Sequence, residues 1–428
     1  MKKREHEIVA FQEVYEYAFS SVPADKRKPT GVLALVVFGF ALSTSAINIG
    51  LRIGVAMPLG RAVGISIAGN AVLFFISLFW GLLGQHTGST SASLIKKLLG
   101  TPISLLFSFC VTLVMIGWMG MNGEWLAAIL TDLFPRWMVP LPVAAMLVVA
   151  VGLCCSLHGW KSIEIIDKIL IPLIVFTAIF IVVRIQDGGM KFTQEALVQN
   201  DRLSVPAAVI MVIGNYAVSA VTVPDLSRFA VRRQSVWGCT VVYMLTLVGG
   251  NLCGILLAKG AGVQNLTYGV YKLGLLIPGL VFLAMCTYTT QNVNLYIGSL
   301  ALQNLLKSTT ASGMFSYKMT VLLMGGFAML VSTVGINKHL AAFAGFCVLS
   351  VVSLTGIALM EAVIGRKRER VRSNIPLMAW LFSVVAGFVA WRYSGGSMLV
   401  IPMVVICACV FYILLRKKAR QLKKGDTI

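Results

Sequence analysis

Hydrophobic residues run along this chain in stretches of about twenty, the length of one helical passage through a bilayer, and polar residues fall mainly between the runs. Twelve runs predict twelve transmembrane helices: Gly31–Ala56, Ala62–Gly84, Ile103–Leu130, Val139–Leu157, Ile163–Val183, Val205–Val223, Val236–Ala258, Leu275–Leu305, Met319–Val334, Leu340–Val363, Ile375–Trp391 and Met398–Leu415. Two of them, the first and the sixth, are interrupted by glycine, proline and small polar residues, at Ala41–Gly50 and at Gly214–Pro224. Broken helix at membrane depth survives only where it lines a protein-walled cavity, because hydrocarbon offers no partner to a free N–H or C=O. The two interruptions lie five spans apart, the spacing expected of two inverted halves whose first helices both break around one midplane site.

Composition agrees with the pattern: 58% of the 428 residues are hydrophobic and 12% charged, about half the charged content of an ordinary soluble domain. A net charge of +20 raises the question of nucleic acid, and its distribution answers it. With both termini in the cytoplasm, 26 of the 36 Lys and Arg residues fall on cytoplasmic segments, as the positive-inside rule requires. Clusters such as Arg366–Arg370 and Arg416–Arg420 therefore read as topology determinants facing anionic lipid. The polar stretch before Gly31 lacks the short apolar core of a cleavable signal, so the first span is expected to direct its own insertion. The nine cysteines lie mostly within spans without metal or redox spacing, and His6, His86, His158 and His339 are scattered near span ends. No cofactor is called for, and nothing points to an enzyme.

The polar residues inside the spans are neutral for the most part, with Asp132, Asp225 and Glu361 read as lying near span ends. In the third span Trp118 and Asn122 are four residues apart and share a helix face, pairing a stacking surface with an amide. Glu124 falls off that face, where helix pairing suits it better than proton coupling. Asn215 and Tyr216 in the sixth-span interruption would place a second aromatic ring opposite Trp118, so that a planar heterocycle lies between two π faces. The eighth span carries the densest polar run, Thr287–Asn294. There Thr289 and Thr290, facing carbonyls freed by the first-span break, would complete an oxygen cage for a monovalent cation, leaving Asn292 and Asn294 for substrate. Ser45, from the broken first span, joins the expected substrate contacts. Asp225 and Arg228, after the sixth span, are expected to pair or to cap a helix and to act in gating. Pro172, Pro278 and Pro402 read as kinks within a packed bundle.

These residues resemble the nucleobase cation symporters, most closely the cytosine permease branch. The marks are Gly84-Gln-His-Thr-Gly88, Gly117-Trp-Met-Gly120, Asp225-Leu-Ser-Arg-Phe229, Tyr288-Thr-Thr290 and Leu295-Tyr296, in that order along nearly the whole chain. The resemblance implies an all-α, LeuT-like fold. A cytoplasmic segment (1–30) would precede two inverted five-helix repeats (31–183 and 205–363), two more helices (375–415) and a cytoplasmic tail (416–428). It also implies a sodium site formed by the carbonyls of Ala41, Thr44 and Cys286 and the hydroxyls of Thr289 and Thr290, an all-oxygen set suited to a hard cation. Three departures bear on the cargo: Asn122 stands where hydantoin-transporting relatives have an amide and cytosine permeases a smaller residue, and Asn215 where relatives have a small one; the eighth-span run reads Thr289-Thr-Gln-Asn-Val293 with an extra amide at Asn294; and an Asp-Tyr pair is replaced by Glu361-Ala362.

The function expected is import of a nucleobase or similar neutral heterocycle by sodium- or proton-coupled symport, by a monomer in the inner (plasma) membrane. One alternative is an amino acid symporter of the same architecture, which would hold a carboxylate at the helix ends of its broken spans. A membrane enzyme or a non-transporting receptor is the other, and only a carrier would exchange labelled solute across a sealed bilayer.

Overall fold

The computed structural model describes residues 17–134, 138–187, 193–195, 197, 203–307, 316–364, 374–394 and 399–425; the basic cluster at 366–370 lies outside them. The described chain is helical, with a single isolated bridge between Lys28 and Ala230. The helices are α1 (Thr30–Ala41), α2 (Thr44–Ala56), α3 (Leu59–Thr87), α4 (Ser91–Leu99), α5 (Thr101–Leu133), α6 (Leu141–Cys155), α7 (Trp160–Asp187) and α8 (Val205–Thr222). They continue as α9 (Pro224–Ser227), α10 (Arg233–Ala261), α11 (Leu266–Lys272), α12 (Leu276–Lys307), α13 (Tyr317–Val331), α14 (Leu340–Ile364), α15 (Ile375–Tyr393) and α16 (Val400–Gly425). Each of the twelve expected spans holds a helix. Among the described residues seven helices are long and apolar enough to cross a membrane unaided, and two bent pairs pass together, α1 with α2 and α6 with the start of α7, the latter bent by 109°. Beyond the last span, α16 carries on as helix through most of the segment expected to be a tail.

The first span breaks where the sequence places the break, over a shorter stretch. Only Leu42 and Ser43 leave the helix, and α1 and α2 meet at 49°. Ser43 then caps α2 by accepting the Ala46 N–H, which satisfies one of the new helix's free donors. Gly50 is not part of the break. It and Gly254 let α2 and α10 come into backbone contact: a Cβ on Gly50 would lie 2.0 Å from the Asn251 carbonyl oxygen, and one on Gly254 1.9 Å from that of Ile47.

The sixth span is a correction. α8 runs through Gly214, Asn215 and Tyr216 to Thr222, and the chain turns only at Val223, before the short helix α9. Gly214 is small for another reason: a Cβ there would stand 2.6 Å from the carbonyl oxygen of Ala344 on α14. Pro224 occupies the first position of α9, where its missing N–H has no helical partner to lose. The same reasoning corrects two of the three expected kinks, since Pro278 and Pro402 lie in the first turns of α12 and α16 and only Pro172 is inside a helix.

Two groups of helices pack around the break. The pair α1–α2 lies with α3, α8 and α10, while α5 packs on α6, α12 and α13. α7 touches α1 and α12, α14 lies along α8, and α15 and α16 pack on each other and on α14. Glu361 of α14 accepts hydrogen bonds from Tyr412 and Arg416 of α16, so a tyrosine hydroxyl still meets the acid although position 362 is alanine. At the opposite end from α9, buried Lys259 of α10 donates to the Met57 carbonyl (2.7 Å) and the Glu195 carbonyl (2.5 Å), and the Leu197 N–H donates to Val55 (2.9 Å). These bonds strap the end of α2 to α10 and to the segment preceding α8.

Because α2 and α10 meet backbone to backbone, Gly254→Ala is expected to destabilise the protein by about 1 to 3 kcal/mol through overpacking. Gly64→Ala, at a position with open space around it, is the control and should leave the melting temperature in detergent level or higher. Equal melting temperatures for the two variants would refute the contact.

Candidate substrate and cation site

The break frees the last carbonyls of α1, and side chains from two other helices meet them. Thr289 Oγ1 donates to the Gly39 carbonyl (2.8 Å) and lies 3.2 Å from that of Cys286. Thr290 Oγ1 reaches the carbonyls of Cys286 (2.9 Å) and Phe40 (3.2 Å). Tyr216 Oη donates to Phe40 (2.7 Å) and lies 3.2 Å from the Ala41 carbonyl. A few hydroxyl protons are thus shared among more carbonyl oxygens than they can fill, in a region where Thr289, Thr290, Cys286 and Ala41 are all buried. Four of the five residues expected at the cation site join this network, with the Thr289 and Thr290 hydroxyls on Gly39 and Phe40 rather than on Ala41. Thr44 contacts α12 about a turn away, its hydroxyl on the Leu283 carbonyl (3.2 Å) and on Thr287 Oγ1 (2.8 Å). Ser45 is buried beside it and shares a hydrogen bond with Ser43 (2.8 Å).

The expected substrate residues are all buried, and the indole of Trp118 faces protein. Its ring meets Phe343 of α14 edge to face at 5.3 Å. The ring contacts of Tyr216 are with Phe40 (5.3 Å) and Tyr243 (5.8 Å), and its hydroxyl serves the break. Phe343 is the aromatic the sequence did not single out, and as one phenylalanine among 22 it carries no local signal. Trp118 and Asn215 nevertheless border one stretch of α14, since Phe343 touches the indole and Ala344 touches Gly214.

Several buried amides have hydrogen-bonding capacity to spare among the described residues. Asn122 Oδ1, Asn215 Oδ1, and both side-chain polar atoms of Gln291 and of Asn292 have no protein partner. Native interiors seldom leave such atoms unpaired, and here they lie on three helices, α5, α8 and α12. Gln291 points at α6, where a Cβ on Gly152 would collide with it at 2.1 Å. Asn294 lies one turn before Gly298, which packs against Met115 of α5. Glu124, in turn, accepts the Asn337 N–H (3.4 Å), the helix-pairing role expected of it. A small space of about 40 Å³, lined by Phe40, Ser219 and Tyr243 among others, includes none of the predicted substrate residues.

The sequence motifs gather at the end of the bundle where α9 lies. Gly84 admits the backbone of Pro224, which a Cβ would approach to 2.6 Å, and Gly88 ends α3 in the left-handed region at φ 62°. Asp225 accepts the Ser91 N–H (2.9 Å) and hydroxyl (2.5 Å), capping α4. Arg228 donates to the Asp225 carbonyl (3.1 Å), the Tyr17 carbonyl (3.0 Å) and Tyr296 Oη (2.7 Å), while its guanidinium lies over Phe229, itself stacked on Trp160 at 4.3 Å. Burial raises the Asp225 carboxyl above its ordinary value, and the Arg228 charge and the two Ser91 bonds oppose that shift. The helix-capping role expected of Asp225 is therefore met, in a plug that joins α3, α4, α7, α9 and α12.

One residue was missed. Asp167 of α7 is buried, and neither of its carboxylate oxygens has a hydrogen-bond partner. In the sequence it sits between Glu164 and Lys168 and reads as part of the charged start of a span. The structure puts it inside, with Oδ1 3.1 Å from where a Cβ on Gly39 would be.

A family profile described as "Permease for cytosine/purines, uracil, thiamine, allantoin" matches residues 21–414. The chain belongs to this permease family. It is a multi-pass membrane transporter and not an enzyme. Curated relatives include the cytosine permeases of Escherichia coli strain K12 and of Escherichia coli O157:H7, each 22% identical over 396 residues, covering 88% of the permease and 90% of the relative. Among solved structures, Mhp1, a nucleobase-cation-symport-1 family transporter in a closed conformation with bromovinylhydantoin bound, superposes with a TM-score of 0.72 at 16% identity over 95% of both chains. A Na⁺-coupled sialic acid symporter gives 0.62 at 13% identity over 93% of the permease and 90% of its own chain. The permease therefore has the LeuT-like fold that the resemblance implies.

Truncating Asp225 to alanine is expected to cost about 1 to 2 kcal/mol, the usual loss for a helix cap, and to expose the inner end of α3 and α4. Faster proteolysis near residues 88–92 than in the wild type checks this; equal rates would mean that the plug does not depend on Asp225.

Proposed function

We propose that the permease imports a nucleobase or similar small neutral heterocycle together with a sodium ion, by alternating access. The observation that carries this reading is the oxygen network where the end of α1 meets α12: uncharged, rich in carbonyls and short of protons. A monovalent cation bound by Ala41, Thr44, Cys286, Thr289 and Thr290 would hold the broken helix against α12. That ordering would give the neighbouring substrate site its competent shape. The heterocycle stacks on Trp118, and its donors and acceptors are read by Asn122, Asn215, Asn292 and Asn294, with Ser45 and Tyr216 at the broken helix completing the wall. Coupling is then a shared free energy of about 1 to 3 kcal/mol, equal in both directions. Asp225 and Arg228 close the cytoplasmic side until both ligands are bound.

The division into inverted repeats at 31–183 and 205–363 draws support from two short helices, α4 after the second span and α11 after the seventh. The excess of basic residues on one set of loops favours cytoplasmic termini and the inner (plasma) membrane. The network is complete within one chain, which favours a working monomer.

Thermal-shift measurements on the purified permease with cytosine, uracil, hypoxanthine, hydantoin, hydroxymethylpyrimidine and leucine, in sodium and in its absence, test the proposal. One heterocycle should stabilise the protein, more strongly in sodium, and replacing Thr289 and Thr290 by alanine should remove the sodium effect while leaving part of the heterocycle effect. Stabilisation by leucine alone would favour an amino acid symporter, and a sodium effect that survives the double substitution would put the cation elsewhere.

A further inference from the structure

The two ends of α7 differ in what surrounds their acids. Glu164 lines a cavity of about 640 Å³ whose other charged side chains are Asp25, Lys26, Arg27, Lys28 and Lys161. Its carboxylate is already paired, at 2.9 Å with Lys28 and 2.8 Å with Lys168. Asp167 is three residues deeper on the same helix, 1% exposed, with both oxygens unpartnered. Of the two neighbouring helices, α1 has no ionisable residue at all, and α12 has no acid and no base before Lys307 at its far end. The charges closest along the chain, Glu164 and Lys168, bond each other.

An acid kept inside a membrane bundle without a counter-charge marks an ion path rather than a structural pair. The surroundings supply both ends of that path. Inward, Asp167 abuts Gly39, whose carbonyl accepts from Thr289 in the oxygen network. Asn292, one turn along α12 from Thr289, adds two unpartnered polar atoms. Outward, one turn of α7 leads to Glu164 and the cavity, which borders the plug at Trp160 and Phe229.

We propose that Asp167 is a station for the coupling cation on its way from the oxygen network to the cavity at the start of α7, which the charge distribution puts on the cytoplasmic side. This rests on the cation reading of the preceding section and adds the route by which the ion leaves. The carboxylate takes up the ion as it quits the carbonyls, so that release does not require bare charge to cross an apolar gap. No bond is made or broken; the ion exchanges one set of oxygens for another.

Proteoliposomes and radiolabelled cytosine provide the test, because net uptake needs the ion to leave on every cycle whereas exchange in equal sodium on both sides does not. Asp167→Asn is expected to slow net uptake driven by an inward sodium gradient about tenfold, with exchange falling less than about threefold, as when release limits the cycle. Asp167→Glu, which keeps the carboxylate, should recover most of net uptake. Equal loss of both rates in Asp167→Asn, or no loss of either, would overturn the station. Failure of the underlying reading looks different: wild-type liposomes would show cytosine movement indifferent to sodium, or none, and the station would fall with it.

Discussion

Inside a bilayer a carbonyl that leaves its helix has no water to turn to, and much of this protein is arranged around three that do so at Gly39, Phe40 and Ala41. The Ser43 N–H donates locally to Ala41, and the other partners come from distant helices, hydroxyls of Thr289 and Thr290 on α12 and of Tyr216 on α8. Each is a weak, replaceable bond between neutral groups, about 1 kcal/mol net apiece. A set of such bonds holds a break together without fixing it for good, and a cation entering the same oxygens competes on nearly equal terms. Structural integrity of the first span and its proposed use as a binding site are thus one property.

How much of this was legible in the sequence depended on whether the signal was local. The helices at the expected spans, the break after Ala41 and the polar turn at Thr287–Asn294 are read from consecutive residues, and the structure has each of them. The second interruption misled because glycine has two uses in a membrane helix. At position 214 it gives way to the backbone of Ala344, a partner 130 residues away that no local pattern announces. Tyr216 was read for its ring, as a surface opposite Trp118, and the bonds of its hydroxyl to Phe40 and Ala41 carry no local signal. Asp167 was hidden by its neighbours: Glu164 and Lys168 made it look like the edge of a span, and only the direction in which α7 packs reveals that one of the three points inward.

The motifs that carry the family likeness divide in a similar way. Gly84–Gly88, Asp225–Phe229 and Tyr296 meet at one end of the bundle, where they cap helices, admit close backbones and seat Arg228. Thr289 and Thr290 serve the break. The residues that differ from the cytosine permease pattern, Asn122, Asn215 and Gln291 to Asn294, include the buried amides left with unused hydrogen-bonding capacity. The shared motifs are thus tied into hydrogen bonds and close packing, and the changed positions hold much of the spare polar capacity.

The strap at Lys259 bears on how such a molecule changes shape. With Gly50 and Gly254 in backbone contact and Met57 and Glu195 held by one buried ammonium, α2 and α10 form a single lever arm. Bending at Leu42–Ser43 would then move α1 against α10, α7 and α12, the helices it packs on. The two arms of the break are thus held differently, α2 by backbone contact and a buried ammonium, α1 by side-chain packing.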